Sequence, residues 1–509
     1  MGANTDELFE FADRKEKTRE NEEHTTHGYL YDSFLRLISK RTSVIPALII
    51  ICIILFGILV PVFTYGKGYE LNSYYSKKPP RLALFDSDTA VIGGTRVKNY
   101  NQKAYTRLLA IGIGSVYEKD VVNHINANNS WQNPIKKLKK VTSGSKGNGL
   151  YRAAVDTYLE VGFIYKTVTQ EEYEDILRYS ISTGRTVIYP LINDNEYSNL
   201  DANVWYAVNE SGEAVSEDGK VIEIIDGELA QPLYDNYQRD TDGEPIYAKY
   251  VGGGDFDTAQ LRVRVLYYEY YRYKEGSAPS FAFGTDTQGY DLQRRIAGGV
   301  RLSLLIAFGV SALNFLIGCT VGAICGYFGG RLDIGIQRII EILSGVPFIV
   351  VATLFQIHLS DKVGIIPSLL FAFVLTGWIG LSGRVRAQTY KAKGQEFILA
   401  SRSLGAGSRH VIIRHIFPNI IGSVITASAL MIPGVIFSES MLSYLGIVNL
   451  RSRELSSLGT LMSDAGSVWT GYPHLMLFPA LFISLLMISF NAFASALRDA
   501  MNPSAEQNS

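Results

Sequence analysis

Cysteine is scarce: the chain has 3 in 509 residues, and Cys52, Cys319 and Cys325 all fall in long apolar runs. The polar stretch from 65 to 280 therefore has no disulfide framework, and cysteine usage does not identify its compartment. Histidine is nearly as rare, with 7 in all and His124 alone in that stretch. Neither H-E-x-x-H nor G-x-S-x-G occurs there, which argues against a zinc or serine hydrolase. G-x-x-x-x-G-K-[ST] is missing altogether; the nearest match, Gly144-Ser-Lys-Gly-Asn-Gly149, lacks the terminal Lys-Ser/Thr. A net charge of −1, with no stretch combining basic and stacking residues, gives no footprint for nucleic acid.

Charge is absent in a more telling way from six runs: Val44 to Phe63, Leu302 to Phe328, Ile342 to Leu359, Val363 to Ser382, Ile420 to Ser438 and Leu475 to Ala496 hold no Asp, Glu, Lys or Arg. Runs of this length and polarity are read as membrane spans. Without ionisable groups near mid-bilayer, an ion-coupled secondary transporter is disfavoured. The first run follows a long polar lead and no small-x-small cleavage site follows Phe63, so it reads as an uncleaved helix rather than a signal peptide. Between Gly383 and Pro418, Arg384, Arg386, Lys391, Lys393, Arg402, Arg409 and Arg414 face a single acid, Glu396, which assigns this loop and both termini to the cytoplasmic side.

Residues 1–42 then form a cytoplasmic tail with a mixed-charge run, 43–64 the first transmembrane helix, 65–282 an extracytoplasmic inserted domain, 283–503 a five-helix core with its cytoplasmic loop at 383–419, and 504–509 a second tail. The inserted domain reads as α+β. Thr169-Gln-Glu-Glu172 opens an amphipathic helix. Val204–Val208 and Val221–Ile225 read as short strands punctuated by turns at Asn209–Gly212, Asp218-Gly219 and Asp226-Gly227. Asp240-Thr-Asp242-Gly243 reads as an acidic turn rather than a calcium loop, because Gln238 occupies the first ligand position. Lys136, Lys137, Lys139 and Lys140 read as a solvated face. Its many tyrosines suit a docking surface, or equally the domain's own core.

The loop has a shape of its own. Phe397, Leu399-Ala400 and Leu404 predict a short helix stopped at Gly405; Ala406-Gly407-Ser408 makes a turn and N-cap; Val411, Ile412 and Ile416 give a second helix its apolar side; Pro418 sits in the first turn of the next span. Gly309, Gly318, Gly322, Ala323 and Gly326 predict close helix contact along the second span. Pro433 predicts a kink in the fifth, and Glu439 is an acid at its outer boundary, expected to be held by a partner group at an outer gate.

The loop resembles the signature cytoplasmic loop of ATP-binding-cassette importer permeases. Leu399-Ala400-Ser401 stands where the family has E-A-A, Gly405 is its glycine, and His415-Ile416-Phe417-Pro418-Asn419 looks like the H-I-L-P-N of the peptide-importing branch. Leu399 departs from the family's glutamate. The stretch Phe283 to Ser303 resembles the branch's G-T-D-x-x-G-R-D segment at Gly284, Thr285, Asp286, Gly289 and Asp291, with Tyr290 in place of arginine; Thr285 or Asp286 is expected to cap a short interfacial helix whose Arg295 and Arg301 face headgroups. Ser443-Tyr-Leu-Gly446 and Leu497-Arg-Asp-Ala-Met-Asn-Pro503 resemble two further motifs.

The resemblance implies a type I importer permease fold of six transmembrane helices, similar to the C-type subunit of oligopeptide or dipeptide importers of the bacterial plasma membrane. It covers residues 283 to 503 and leaves 65–282 unexplained. It implies a non-catalytic chain forming half of a pore, with no cofactor of its own. The implied partners are a second permease, two ATP-binding subunits that use ATP and Mg, and an extracytoplasmic substrate-binding protein delivering peptide. Leu399, Ala400, Ser401, Arg402, Leu404, Gly405, His415 and Pro418 become ATPase-coupling candidates; Asp286, Asp291, Pro433 and Glu439 become outer-gate or structural ones. Nickel, glutathione and sugars are moved by similar permeases, and a membrane-anchored sensor is the reading from another class.

Overall fold

A computed structural model describes residues 29–63, 72–82, 92–115, 132–142, 150–193, 201–252, 260–451 and 456–501. The charged run before residue 29, His124, the Gly144–Gly149 segment, Asn502, Pro503 and the 504–509 tail lie outside them, as does the Lys140 side chain. The chain divides into two compact units, one of residues 1–59, 298–463 and 479–509, the other of 60–297 and 464–478.

The described chain opens with α1 (Tyr29–Ser39) and α2 (Arg41–Phe63), which is uncharged after Arg41. The sheet-containing unit follows with β1 (Arg81–Leu82), β2 (Ile92–Gly93), β3 (Thr95–Asn101), α3 (Gln102–Gly114), β4 (Ile135–Thr142), β5 (Leu150–Asp156), β6 (Phe163–Thr169), α4 (Gln170–Thr183) and β7 (Ile188–Tyr189). It continues with β8 (Ile224–Ile225), β9 (Glu228–Leu229), β10 (Ala248–Gly252), β11 (Gln260–Leu266) and α5 (Tyr267–Glu275). The larger sheets are antiparallel, β10-β11-β6 with β7 also on β11, and β3-β5-β4. Thr169 caps α4 as predicted, its Oγ1 accepting from Glu172 N at 3.2 Å. Asp226 and Gly227 both have positive φ, the geometry of a two-residue hairpin turn between β8 and β9. Residues 204–208 are not a regular strand; Tyr206 and Val208 make isolated bridges to Asp235 and Ala214. Asp240 Oδ1 accepts from the backbone N–H of Asp242 and Glu244, both at 2.9 Å, closing the acidic turn. Lys136, Lys137 and Lys139 are exposed along β4.

The tyrosines answer the question that their number raised. Tyr75, Tyr158, Tyr267, Tyr268 and Tyr270 belong to one apolar core, Tyr189, Tyr206 and Tyr237 to a second, and Tyr100, Tyr105 and Tyr151 to a third. Among the described residues of this unit, Tyr74, Tyr234 and Tyr250 are the exposed ones. The rings serve the domain's interior, so composition gives no docking surface here. One core holds a buried cation: Arg81 pairs with Asp156 at 3.0 Å, donates to Tyr268 Oη at 3.1 Å and lies against the Tyr158 and Tyr268 rings. Residues 464–478 join this unit, with Tyr472 under the Arg96 guanidinium at 4.2 Å and Phe478 stacked on Phe283 at 4.4 Å.

The chain continues with α6 (Leu292–Phe328), α7 (Gly330–Ser344), α8 (Phe348–Val363), α9 (Ile365–Gly377), α10 (Ile379–Lys393), α11 (Glu396–Ser403), α12 (Ser408–Val411), α13 (Phe417–Ala429), α14 (Met431–Tyr444), α15 (Leu458–Ala465) and α16 (His474–Ala500), which fall in the membrane unit from residue 298 on, apart from 464–478. Five helical stretches are long and apolar enough to cross a membrane, six if the bent pair α7 and α8 counts as one. That pair corrects the expected third span. No single helix covers Ile342 to Leu359; α7 and α8 meet at 79°. Pro347 removes an N–H from the ladder and disfavours helical geometry at Val346 before it. α7 carries Arg331, Asp333, Arg338 and Glu341, and its Asp333 grips Arg386 of α10 by two hydrogen bonds of 2.6 and 2.5 Å.

Glycine spacing on α6 does what was expected at three positions. A Cβ on Gly322 would sit 2.5 Å from Ser382 O and one on Gly326 2.6 Å from Arg386 O, while one on Gly318 would press on Trp378 O at 3.1 Å. The absent side chains let α6 lie backbone to backbone along α10. A Cβ on Gly309 would meet nothing within 4 Å among the described residues, so it takes no part.

Candidate functional site

The 396–419 loop forms the expected knob. α11 begins with Glu396 in its first turn and ends in a Schellman motif: Ala406 N donates to Ser401 O at 3.2 Å, Gly405 N to Arg402 O at 2.9 Å, and Gly405 has φ +87°. That conformation suits glycine, the residue whose spacing carried the reading. Gly407 is the N-cap of α12, one residue before the expected Ser408, and Val411 N donates to its carbonyl at 3.0 Å.

The second helix differs in its winding. Residues Ile412–Ile416 take a π-helical turn, with Phe417 N bonded to Ile412 O. Pro418 has no N–H to offer Arg414 O and its ring would collide with that carbonyl, so a wider turn accommodates it. Helical structure therefore runs from Ser408 to Tyr444, with Pro418 in the first turn of α13. A one-residue break at Leu430 lies just before Pro433, and Pro433 itself is buried in α14.

The knob has a root and a face. Ile398, Val411 and Ile416 are fully buried in one cluster with Leu381 and Val385 of α10. Outward lie Leu399, Ala400, Arg402 and Gly405, with Ser401 half-buried, and Phe397 and Leu404 extend the exposed apolar surface; Leu404 is 89% exposed. His415 is half-buried with its ring 5.5 Å from that of His410. Buried Ile398 between exposed Phe397 and Leu399 fixes the knob's orientation. The exposed apolar side chains beside Arg402 make a surface suited to another protein rather than to water.

Glu439 is only 1% exposed. Its carboxylate accepts from Ser303 Oγ at 2.8 Å and Ser443 Oγ at 3.0 Å, with Ser440 Oγ at 3.4 Å and the Ser457 hydroxyl also bonded. The expected partner group is thus a set of serines from α6, α14 and the residue before α15, and no cation among the described residues pairs with it. A buried carboxyl needs such donors. Ser443 and Ser440 could be read from their positions one turn and one residue after Glu439; Ser303 and Ser457 are remote in sequence and gave no local signal.

Asp286 and Asp291 close the turn before α6 in the sheet-containing unit. Asp286 Oδ1 accepts from Gln288 N and Tyr290 N at 2.9 Å, and Asp291 Oδ1 from Gln293 N at 2.9 Å. Burial pushes the Asp291 carboxyl up to about 6 against the pull of the Gln293 and Arg294 N–H groups. Asp291 bonds into the first turn of α6, whereas Thr285 Oγ1 ties the turn to Lys78 N at 2.8 Å. There is no separate interfacial helix: α6 starts at Leu292. Arg295 is buried over the Tyr290 ring at 4.1 Å and 3.4 Å from Asp286, so it faces protein, not headgroups.

Residues 318–507 match the family model described as binding-protein-dependent transport system inner membrane component. The dipeptide transport system permease protein DppC of Bacillus subtilis (strain 168) is 36% identical over 222 residues, 43% of this chain and 68% of the relative. The oligopeptide transport system permease protein OppC of the same organism is 39% identical over 221 residues, 43% of this chain and 71% of the relative. Among solved structures, the inward-facing MetNI methionine ABC transporter aligns with 41% of this chain and 96% of its own at 17% identity and a TM-score of 0.32. With two thirds of such relatives covered at this identity, the chain belongs to the family of binding-protein-dependent ABC transport permeases and has their multi-pass, type I importer permease fold.

Proposed function

We propose that this chain is one of two permease subunits forming the pore of an ATP-driven importer of dipeptides or oligopeptides. The observation that carries the coupling role is the knob with Ile398, Val411 and Ile416 as its root and Phe397, Leu399 and Leu404 as its face. Fully burying side chains of this size is worth about 1.5–3 kcal/mol each, ample for a reversible contact. Docked in a cleft of an ATPase subunit that binds ATP and Mg, the knob moves as that subunit closes. Its root transmits the motion to α10 and α13, because a packed core shifts between discrete arrangements rather than deforming. Two ATPase chains, a second permease and an extracytoplasmic substrate-binding protein complete the assembly. Both termini and the knob lie in the cytoplasm, and 65–282 lie outside as an inserted domain.

Peptide as cargo is supported by the dipeptide and oligopeptide permeases among its relatives. The test is uptake by the assembled importer in proteoliposomes. ATP inside the vesicle's cytoplasmic-side compartment is expected to drive labelled tetra-alanine across the membrane, and a non-hydrolysable ATP analogue is expected to support none. Accumulation of nickel or glutathione with no peptide uptake would contradict the peptide reading.

A further inference from the structure

Asn314 stands at the middle of the apolar run Leu302 to Phe328 and is 1% exposed, yet its Oδ1 has no hydrogen-bond partner. It lines a cleft of about 300 Å³ together with Thr376, Gly377, Gly434 and Ser438. Nearby membrane hydroxyls are locally satisfied: Ser423, Thr426 and Ser428 each donate to a carbonyl three residues earlier. The half-buried Thr376 and Ser438 hydroxyls make no side-chain hydrogen bond to the described residues. One buried, unsatisfied carboxamide from α6 and two half-buried hydroxyls from α9 and α14 thus line the same cleft.

The backbone around them is shaped to match. Two one-residue helix interruptions, at Trp378 and Leu430, adjoin the cleft residues Gly377 and Met431. Gly377 and Gly434 are exposed at its rim. A Cβ on Gly377 would lie 2.3 Å from Asn314 Nδ2, so the glycine keeps space for the carboxamide. Facing lipid, such a group would have no partner and would cost several kcal/mol. Broken helices and irregular backbone at membrane depth belong where they line a cavity.

We propose that this cleft is a subsite for the main-chain amide of the transported peptide, with the Asn314 carboxamide giving one hydrogen bond and accepting another, and Thr376 and Ser438 flanking it. This rests on the peptide-import reading above. A carboxamide is both donor and acceptor, as an amide unit requires, and it reads no side chain, which suits cargo of varied sequence.

The test uses the complete reconstituted importer and tetra-alanine. Asn314→Leu removes both hydrogen bonds at similar volume and is expected to lower uptake about tenfold, the combined effect of two modest hydrogen bonds. Asn314→Gln, which keeps the carboxamide, is expected to recover part of the loss, and co-purification with the partner chains is expected to be unchanged for both. Wild-type uptake by Asn314→Leu overturns the subsite. Loss of co-purification also overturns it, making Asn314 an interface group. A wild-type importer that moves no tetra-alanine fails differently: it removes the peptide reading and the occupant with it.

Discussion

Replacing Gly405 with valine is expected to cut ATP-driven uptake and substrate-stimulated ATP hydrolysis at least tenfold while the chain still inserts and keeps its partner permease. Gly405 sits at φ +87° in the Schellman turn, where a β-branched residue is strained by roughly 1–3 kcal/mol. Among the described residues nothing lies within 4 Å of the added Cβ, so the damage is confined to the turn and to whatever docks on it. Leu404→Glu makes the same point without backbone strain. At 89% exposure Leu404 contributes little to this chain's own packing, but a carboxylate there would be buried, unpaired, in a docked interface. Both variants are checked by uptake and by vanadate-sensitive hydrolysis in proteoliposomes. Two variants with wild-type rates would remove the knob from the coupling path.

The second large effect is expected at Glu439. Its carboxyl joins Ser303 of α6 to Ser443 of α14 and reaches the Ser457 hydroxyl, so one side chain holds three segments together. Glu439→Leu leaves those hydroxyls without an acceptor, at about 1–3 kcal/mol for each buried group stranded. Reduced thermal stability of the solubilised permease and loss of most uptake are expected. Glu439→Gln keeps the shape, one carbonyl acceptor and two N–H groups that can face serine oxygens, so it is expected to fall between Leu and wild type. Equal stability and uptake in all three would mean that the serine cage holds nothing in place.

These two sites mark how far the amino-acid sequence could be read. The spans are legible because hydrocarbon tolerates no unpaired charge, and the knob is legible because a left-handed turn calls for glycine at a fixed distance from the helix before it. Hydropathy alone overruns at Ile342: it sums apolar residues and is blind to the break that Pro347 imposes, so the run Ile342 to Leu359 starts inside the last turn of α7 and crosses into α8. The pairing of Asp333 with Arg386, and of Glu439 with Ser303 and Ser457, depends on distances across the fold that no local pattern encodes. Tyrosine content left two readings open for a related reason. A ring with a hydroxyl suits a wet interface and an interior equally, and contacts such as Tyr75 with Tyr158 and Tyr267 are decided by the whole domain. Asn314 did carry a signal, a lone carboxamide in an uncharged run, but its lack of a partner is visible only in three dimensions.

The central claim is that this chain is half of a pore driven by ATPases on separate chains. Its most direct test is the subunit composition of the complex purified through a tag on this chain from its native membrane, measured by native mass spectrometry. The expected result is one copy of this chain with one different permease chain and two ATP-binding chains. Recovery of this chain alone, or with copies of itself and no ATP-binding chain, would contradict the account.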